Sequence, residues 1–404
     1  MNQPADVSIW TSRPEVYPHL ENGIGYLALN RPKALNAIST GMVHAMKDAL
    51  QTWRDDPAVL AVVVYSPHPR AFCAGGDIRF LYDSYQRDEH ASIEAFFVDE
   101  YRLNHLIFTY PKPYIALMNG VVMGGGMGIS QAAGHTGGMR IVGASARLAM
   151  PETKIGLFPD VGISWFLART PGWLGAYLGV SGNLIHAPDA VYAGLADVLV
   201  PDAALPALLE SLQATRFQSA AEITAYLHAQ TRALSAAGES DADAKAKTAG
   251  ILQQHREAID RHFSQPDMAT LIASLDLAAQ ADDTWASQTA AELRTRSPLS
   301  MAVSLELIRR ARSLSMAEVL RTDLDLVAAS FSKGDVIEGI RSVIVDKDQA
   351  PRWNPASIEG LSVQTLESMF VSRWDAAQNP LVALKDESIA GAGRAPLDGR
   401  GTRC

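Results

Sequence analysis

Residues 113–160 read PYIALMNGVVMGGGMGISQAAGHTGGMRIVGASARLAMPETKIGLFPD. A β-type apolar run, Tyr114 to Met118, leads into Gly124-Gly125-Gly126, which opens a helix-like stretch. Only residues lacking Cβ let a carbonyl approach the backbone N–H groups of a helix N-terminus, where the dipole favours developing negative charge. Two acids, Glu152 and Asp160, follow within one short loop. An anion-accepting turn beside paired carboxylates points to acyl chemistry through an oxyanion. As alternatives, the glycines are a plain turn, Glu152 is a first-turn acid that complements a dipole, and Asp160 is an N-cap for a helix containing Trp165 and Phe166. A dinucleotide fingerprint is excluded: counted from Gly124 or Gly126, its last glycine falls on Ile129 or Gln131.

Leu60 to Ser66 (LAVVVYS) reads as a buried strand, and Ala71 to Ile78 (AFCAGGDI) follows. Ala74, Gly75 and Gly76 again leave backbone donors open at a strand-to-helix turn, with Asp77 as the cap of the next helix. Together NRPKALNAI (Asn30 to Ile38), AFCAGGDI and NGVVMGGGMGIS (Asn119 to Ser130) resemble the three signatures of the crotonase, or enoyl-CoA hydratase/isomerase, superfamily. The resemblance covers roughly residues 20–200. MPETKIGLFPDVG (Met150 to Gly162) and EGIRSVIVDKDQAPRW (Glu338 to Trp353) resemble the 3-hydroxyisobutyryl-CoA hydrolase branch and extend the match to about residue 360.

The resemblance implies an α/β fold: a spiral core of repeated ββα units, followed by an α-helical C-terminal region. It implies Gly76 and Gly125 as oxyanion-hole donors and Glu152 and Asp160 as catalytic acids. Glu100, in VDEYRLN, matches a further substrate-binding acid, although an acid on a helix is ordinarily solvated. Ala74, Arg79 and Lys33 are the remaining substrate-binding candidates, the two cations for CoA phosphates or as ordinary surface charges. Hydratases carry a second glutamate just after the triple glycine, where this chain has Gly128. Adding water across a double bond uses two positioned carboxylates, so simple hydratase activity is disfavoured. The implied reaction is hydrolysis of a short 3-hydroxyacyl-CoA thioester, of the valine-catabolism type, with CoA as part of the substrate and no separate cofactor. Glu152 is then the base or the nucleophile, and Asp160 orients the water or binds the 3-hydroxyl. The alternatives are enoyl-CoA isomerisation or a catalytically inactive acyl-CoA-binding or RNA-binding scaffold.

A net charge of −9 argues against nucleic acid as a partner. Two cysteines, Cys73 and Cys404, exclude a disulfide framework and fit a reducing compartment. No run reaches transmembrane length, and the start MNQPADVSIW lacks the pattern of a leader, so a cytoplasmic protein away from membranes is expected. Cys73 reads as a small buried hydrophobe. G-x-S-x-G is absent, which disfavours a serine-hydrolase elbow. His255 and His262 lack metalloprotease spacing, and no metal site is expected.

Periodicity predicts strands at 23–30, 61–66, 139–142 and 147–149, and helices at 40–53 and 91–109. From about residue 203 helical patterns dominate. The expected organisation is a catalytic core at 1–202, a helical region at 203–380 with a polar insertion near 234–250, and a disordered tail at 386–404. Assembly stays open between a homo-oligomer through C-terminal helices and a longer C-terminal region that covers that surface itself.

Overall fold

The computed structural model describes residues 10–238 and 250–386. Among the described residues ten strands run in order: β1 Val16–Glu21, β2 Ile24–Leu29, β3 Ala61–Tyr65, β4 Ala71–Cys73, β5 Tyr114–Met118, β6 Val121–Met123, β7 Met139–Gly143, β8 Arg147–Ala149, β9 Ile185–His186 and β10 Val198–Val200. They form two sheets, ordered β1-β2-β3-β5-β7-β10 and β4-β6-β8-β9. β2, β3, β5, β7 and β10 run parallel to one another, as do β4, β6 and β8, while the edge strands β1 and β9 pair antiparallel with β2 and β8. From β3 onward three successive turns of the spiral, β3-β4, β5-β6 and β7-β8, each place one strand in the large sheet, one in the small sheet, and then a helical turn. This is the ββα core that the sequence implied.

Strands β2, β3, β5 and β7 are buried along their whole length, as parallel strands covered on both faces must be. Leu27, Val62, Val64 and Ala116 face the main core, while Tyr26, Ala28, Val63 and Ile115 face a second core closed by Leu205, Leu208, Ile223 and Leu227. The last two pairs come from helices Ala204–Ala214 and Ala220–Gly238. β1 escaped prediction because VYPHLE is a half-exposed edge strand, where Pro18 is tolerated. β4 and β6 have three residues each, too few for a periodic signal.

Past Val200 the described residues contain helices and turns only. The main core nevertheless runs without a break from Val16 through Leu307 and Leu324 to Leu381, so the helical region shares one interior with the sheets. Helix Ala220–Gly238 continues into the first residues of the expected insertion, and 239–249 lie outside the described residues. Residues 387–404 of the expected tail also lie outside them. Asp386 corrects its own assignment to that tail: it accepts from the N–H groups of Met316 and Ala317 and pairs with His105 at 3.0 Å. A carboxylate on two unsatisfied helix-start amides anchors the chain there.

The C-terminal signature has a structural job. Its helix Val336–Ile340 packs against the 3₁₀ turn Glu152–Ile155 so closely that a Cβ built on Gly339 would lie 2.2 Å from the Ile155 carbonyl. The Ser297 N–H donates to Thr153 O, and the Ser297 hydroxyl donates to Asp335. Behind them Arg341 binds Glu338, Asp346 and Asp348, and holds the Glu338 carboxyl down to about 2. Gly339→Ala must then displace the Glu152 turn. We expect a folded protein with a melting temperature lowered by several degrees, as overpacking costs about 1–3 kcal/mol. We also expect kcat to fall at least tenfold, because the displaced turn carries Glu152. Wild-type turnover in this variant would show that the contact does not position the loop.

Candidate active site

The parallel register of β4, β6 and β8 brings three distant motifs to one end of the small sheet. Gly75-Gly76 follows β4, Gly124-Gly125 follows β6, and Glu152 lies three residues beyond β8. Gly124 adopts φ +47°, and a Cβ built on it would stand 2.9 Å from Glu152 Oε1 and 3.2 Å from Gly75 Cα. A Cβ on Gly125 would stand 2.8 Å from Glu100 Oε1. The two glycine turns and two acids thus enclose one small space, and side chains at 124 or 125 would fill it. Among the described residues, the amides of Gly76 and Gly125 donate to no carbonyl or side chain. Ile38 holds the first turn from outside: its N–H donates to Gly75 O, and its carbonyl accepts from Asp77 N. The helix that Gly125 opens has only four residues, Gly125–Gly128, so its macrodipole adds little to what the free amides could offer an anion.

Glu100, Glu152 and Asp160 are only 2 %, 7 % and 5 % exposed, which removes the solvated reading of Glu100. Asp160 is not a side-chain cap. The helix Ile163–Leu167 begins at Gly162 without one, while the Tyr101 hydroxyl donates to Asp160 Oδ2 at 2.7 Å. Glu100 Oε1 and Glu152 Oε2 have no partner among the described residues. Burial, and then the negative charge of Asp160, pushes the Glu100 and Glu152 carboxyls well above the ordinary range. Burial raises Asp160 to about 6, against the Tyr101 hydrogen bond that favours its ionised form. A fourth acid, Asp323 on helix Met316–Lys333, accepts from Gly162 N at 2.9 Å and is likewise raised by burial and Asp160. Val161, between Asp160 and Gly162, is held at φ 54°, a strained conformation for a β-branched residue.

The remaining candidates divide. Ala74 donates its N–H to Leu35 O, which ties the NRPKALNAI turn to the glycine turn. Lys33 is exposed on that turn, and Arg79 is exposed and pairs with Asp83 at 3.3 Å, so neither cation reaches the acid pocket. Asp77 caps its helix by accepting from Phe80 N, as expected. Cys73 is buried and its thiol is pushed up to about 12, which disqualifies it as a nucleophile. His262 bonds Ser274 at 2.6 Å, and His255 stacks on Trp285. Tyr101, Asn104 and Asp323 were missed. The first two lie within VDEYRLN, one and four positions after Glu100, and their place on a helix otherwise buried was the available signal. A cavity of about 480 Å³ lined by Tyr85, Ile93, Leu324, Phe331 and Trp374 shares no residue with this site.

Position 128 is closed to a side chain. A Cβ on Gly128 would meet Val161 Cβ at 2.8 Å and Asn104 Nδ2 at 2.9 Å, so a second glutamate has no room there. The profile of the enoyl-CoA hydratase/isomerase family matches residues 24–370. The chain belongs to that family. Within it, the chain is 35% identical to the mitochondrial 3-hydroxyisobutyryl-CoA hydrolase of Xenopus tropicalis, over 86% of each protein. It is 34% identical to 3-hydroxyisobutyryl-CoA hydrolase 1 of Arabidopsis thaliana, covering 91% of this chain and 95% of the relative. Among solved structures, a carnitinyl-CoA dehydratase from Mycobacterium thermoresistibile superposes with a TM-score of 0.78 at 34% identity, covering 93% of this chain and 100% of that one. An enoyl-CoA hydratase from Rhodobacter sphaeroides gives 0.77 at 34%, covering 89% and 98%. These relatives share the family and differ in named reaction. Among the described residues, no helix is long and apolar enough to cross a membrane.

A carboxyl raised from 3.8 to about 6 adds stability that is fully present below pH 3.8 and lost as pH rises through about 6. Asn at 160 still accepts from Tyr101 but cannot ionise. Asp160→Asn should therefore melt higher than wild type at pH 8, with the difference gone by about pH 4. Thermal melts at both values check this, and a lower melting temperature at pH 8 would mean that the ionised carboxylate is structural.

Proposed function

We propose that this enzyme hydrolyses a short 3-hydroxyacyl-CoA thioester, foremost 3-hydroxyisobutyryl-CoA, to the hydroxy acid and CoA. The observation that carries the reading is two unpaired glycine amides at turns bordered by Glu152 and Glu100, with position 128 closed to the second acid of a hydratase. The curated hydrolases at 33–35% identity support the same substrate.

In this reading the N–H groups of Gly76 and Gly125 bind the thioester oxygen as its charge develops, each worth about 3–4 kcal/mol of barrier. Glu152 borders the same space and works on the carbonyl carbon. Ionised, it takes a proton from water as the water attacks, or attacks directly to form a mixed anhydride that water then opens. In either route the C–S bond breaks, and the CoA thiolate leaves with a proton. A carboxylate whose ionisation burial opposes is a stronger base than one in water, which suits either route. Asp160, held by Tyr101, supplies the second ionisable group of the pocket and sets the charge that Glu152 feels. Lys33, exposed beside the first glycine turn, is the cation offered to CoA phosphates. A reducing compartment such as the cytoplasm suits a chain whose described cysteine, Cys73, is buried and free.

The two solved relatives bring hydration or dehydration as a second reading. One assay separates them: a thiol-reactive dye follows CoA release, and ultraviolet absorbance follows the enoyl thioester. Thiol release from 3-hydroxyisobutyryl-CoA, with enoyl thioesters left intact, is expected; enoyl turnover without thiol release would overturn the proposal. Glu152→Gln should lower kcat by about two orders of magnitude or more while the thioester still binds. Near-wild-type turnover would remove Glu152 from catalysis. Asp160→Asn should move the acid limb of kcat/KM to lower pH. The Asp160 charge raises the Glu152 carboxyl, so removing it lets Glu152 ionise at lower pH. An unmoved limb would mean that the two carboxyls do not communicate.

A further inference from the structure

Asn104 is a polar side chain in this pocket that the mechanism above leaves without work. It lies on helix His90–Phe108, one turn beyond Glu100, and is 3 % exposed. Neither its Nδ2 nor its Oδ1 has a partner among the described residues. Buried amides are nearly always paired, and a lost partner costs about 1–3 kcal/mol per group, so an amide with both ends unpaired requires an explanation.

Its surroundings supply one. The glycine helix runs alongside: Glu100 stands where a Cβ on Gly125 would project, and Asn104 stands where a Cβ on Gly128 would project. Val161, adjacent to Asp160, flanks the same spot. Asn104 therefore lies one helical turn along from Glu100 and the Gly125 turn, in the space that a second acid at 128 would claim. A primary amide offers a donor and an acceptor together, and an alcohol presents an acceptor and a donor in return. An alkyl chain would satisfy neither atom.

We propose that Asn104 is the specificity-determining residue that recognises the hydroxyl group of a hydroxyacyl thioester. The inference rests on the hydrolase reading and names the group that selects its substrate. Nδ2 donates to the hydroxyl oxygen, and the hydroxyl proton is donated to Oδ1 or to a neighbouring carboxylate. The unpaired amide then penalises acyl chains that lack the hydroxyl, because they leave it buried and unsatisfied.

The test is Asn104→Leu, which keeps the volume and removes both polar atoms. Since no internal hydrogen bond is lost, the variant should fold with a melting temperature equal to or above wild type. Its kcat/KM for 3-hydroxyisobutyryl-CoA should drop at least about tenfold, with that for isobutyryl-CoA, which lacks the hydroxyl, held within about threefold or improved. An unchanged preference for the hydroxylated thioester overturns the proposal. So does a lowered melting temperature or failure to fold, which would show that the amide is bound within the protein. Wild-type protein that releases thiol from neither thioester defeats the hydrolase reading instead. Calorimetric binding of the two thioesters to wild type and Asn104→Leu then still decides the recognition: a lost difference in affinity upholds it, and an unchanged one overturns it.

Discussion

The parallel hydrogen bonding of β4, β6 and β8, short strands of three residues each, fixes everything that follows from this sequence. Adjacent parallel strands end at the same edge, so the turns that leave them stack. The chain spends glycine on the first two turns and an acid on the third. The close approach of Gly75 to Gly124, and of Glu152 to Gly124, is tolerated only because no Cβ stands between them. What results is a slot walled by backbone amides on one side and by carboxyls on the other.

Gathering Glu100, Glu152, Asp160 and Asp323 in one interior is unfavourable, since burial and mutual repulsion both oppose their ionisation. The helical C-terminal region holds the loop that bears two of them in place. Asp335, Ser297 and Gly339 grip it at Thr153 to Gly156, and Asp323 grips it at Gly162. A Cβ on Gly162 would meet Met316 Sδ at 2.6 Å, so the far end of the loop is packed as tightly as the near end. This gives the second half of the chain a part in the site although it supplies neither the two glycine amides nor Glu152 and Asp160. The strained Val161 fits the same pattern of local cost sustained by surrounding structure.

Much of this was legible in the sequence because the constraints are local. A triple glycine after an apolar run has few physical uses, and LAVVVYS and YIALM are long enough to declare buried strands. Of the three-residue strands in the small sheet, Arg147–Ala149 was read from the sequence, but β4 and β6 were not, since period-2 alternation needs more positions than they have. Asp323 gave no local sign of its role, being 161 positions from the amide that it holds. Asn104 and Tyr101 look like solvated helix residues until the helix proves buried on nearly every side. Asp386 was misread for the opposite reason: a polar, glycine-rich tail hides a single carboxylate that docks on a helix start.

In the proposed reaction two backbone amides polarise a thioester carbonyl beside buried carboxyls. Infrared difference spectra of a carbonyl-13C-labelled acyl-CoA thioester bound to Glu152→Gln test this directly, because that variant should hold the thioester while turning it over slowly. Two amide donors in a dry pocket should move the carbonyl stretch to clearly lower frequency than the same thioester shows in water, and Gly125→Pro, which lacks one donor, should return part of that shift. A bound carbonyl absorbing at its frequency in water would contradict the account.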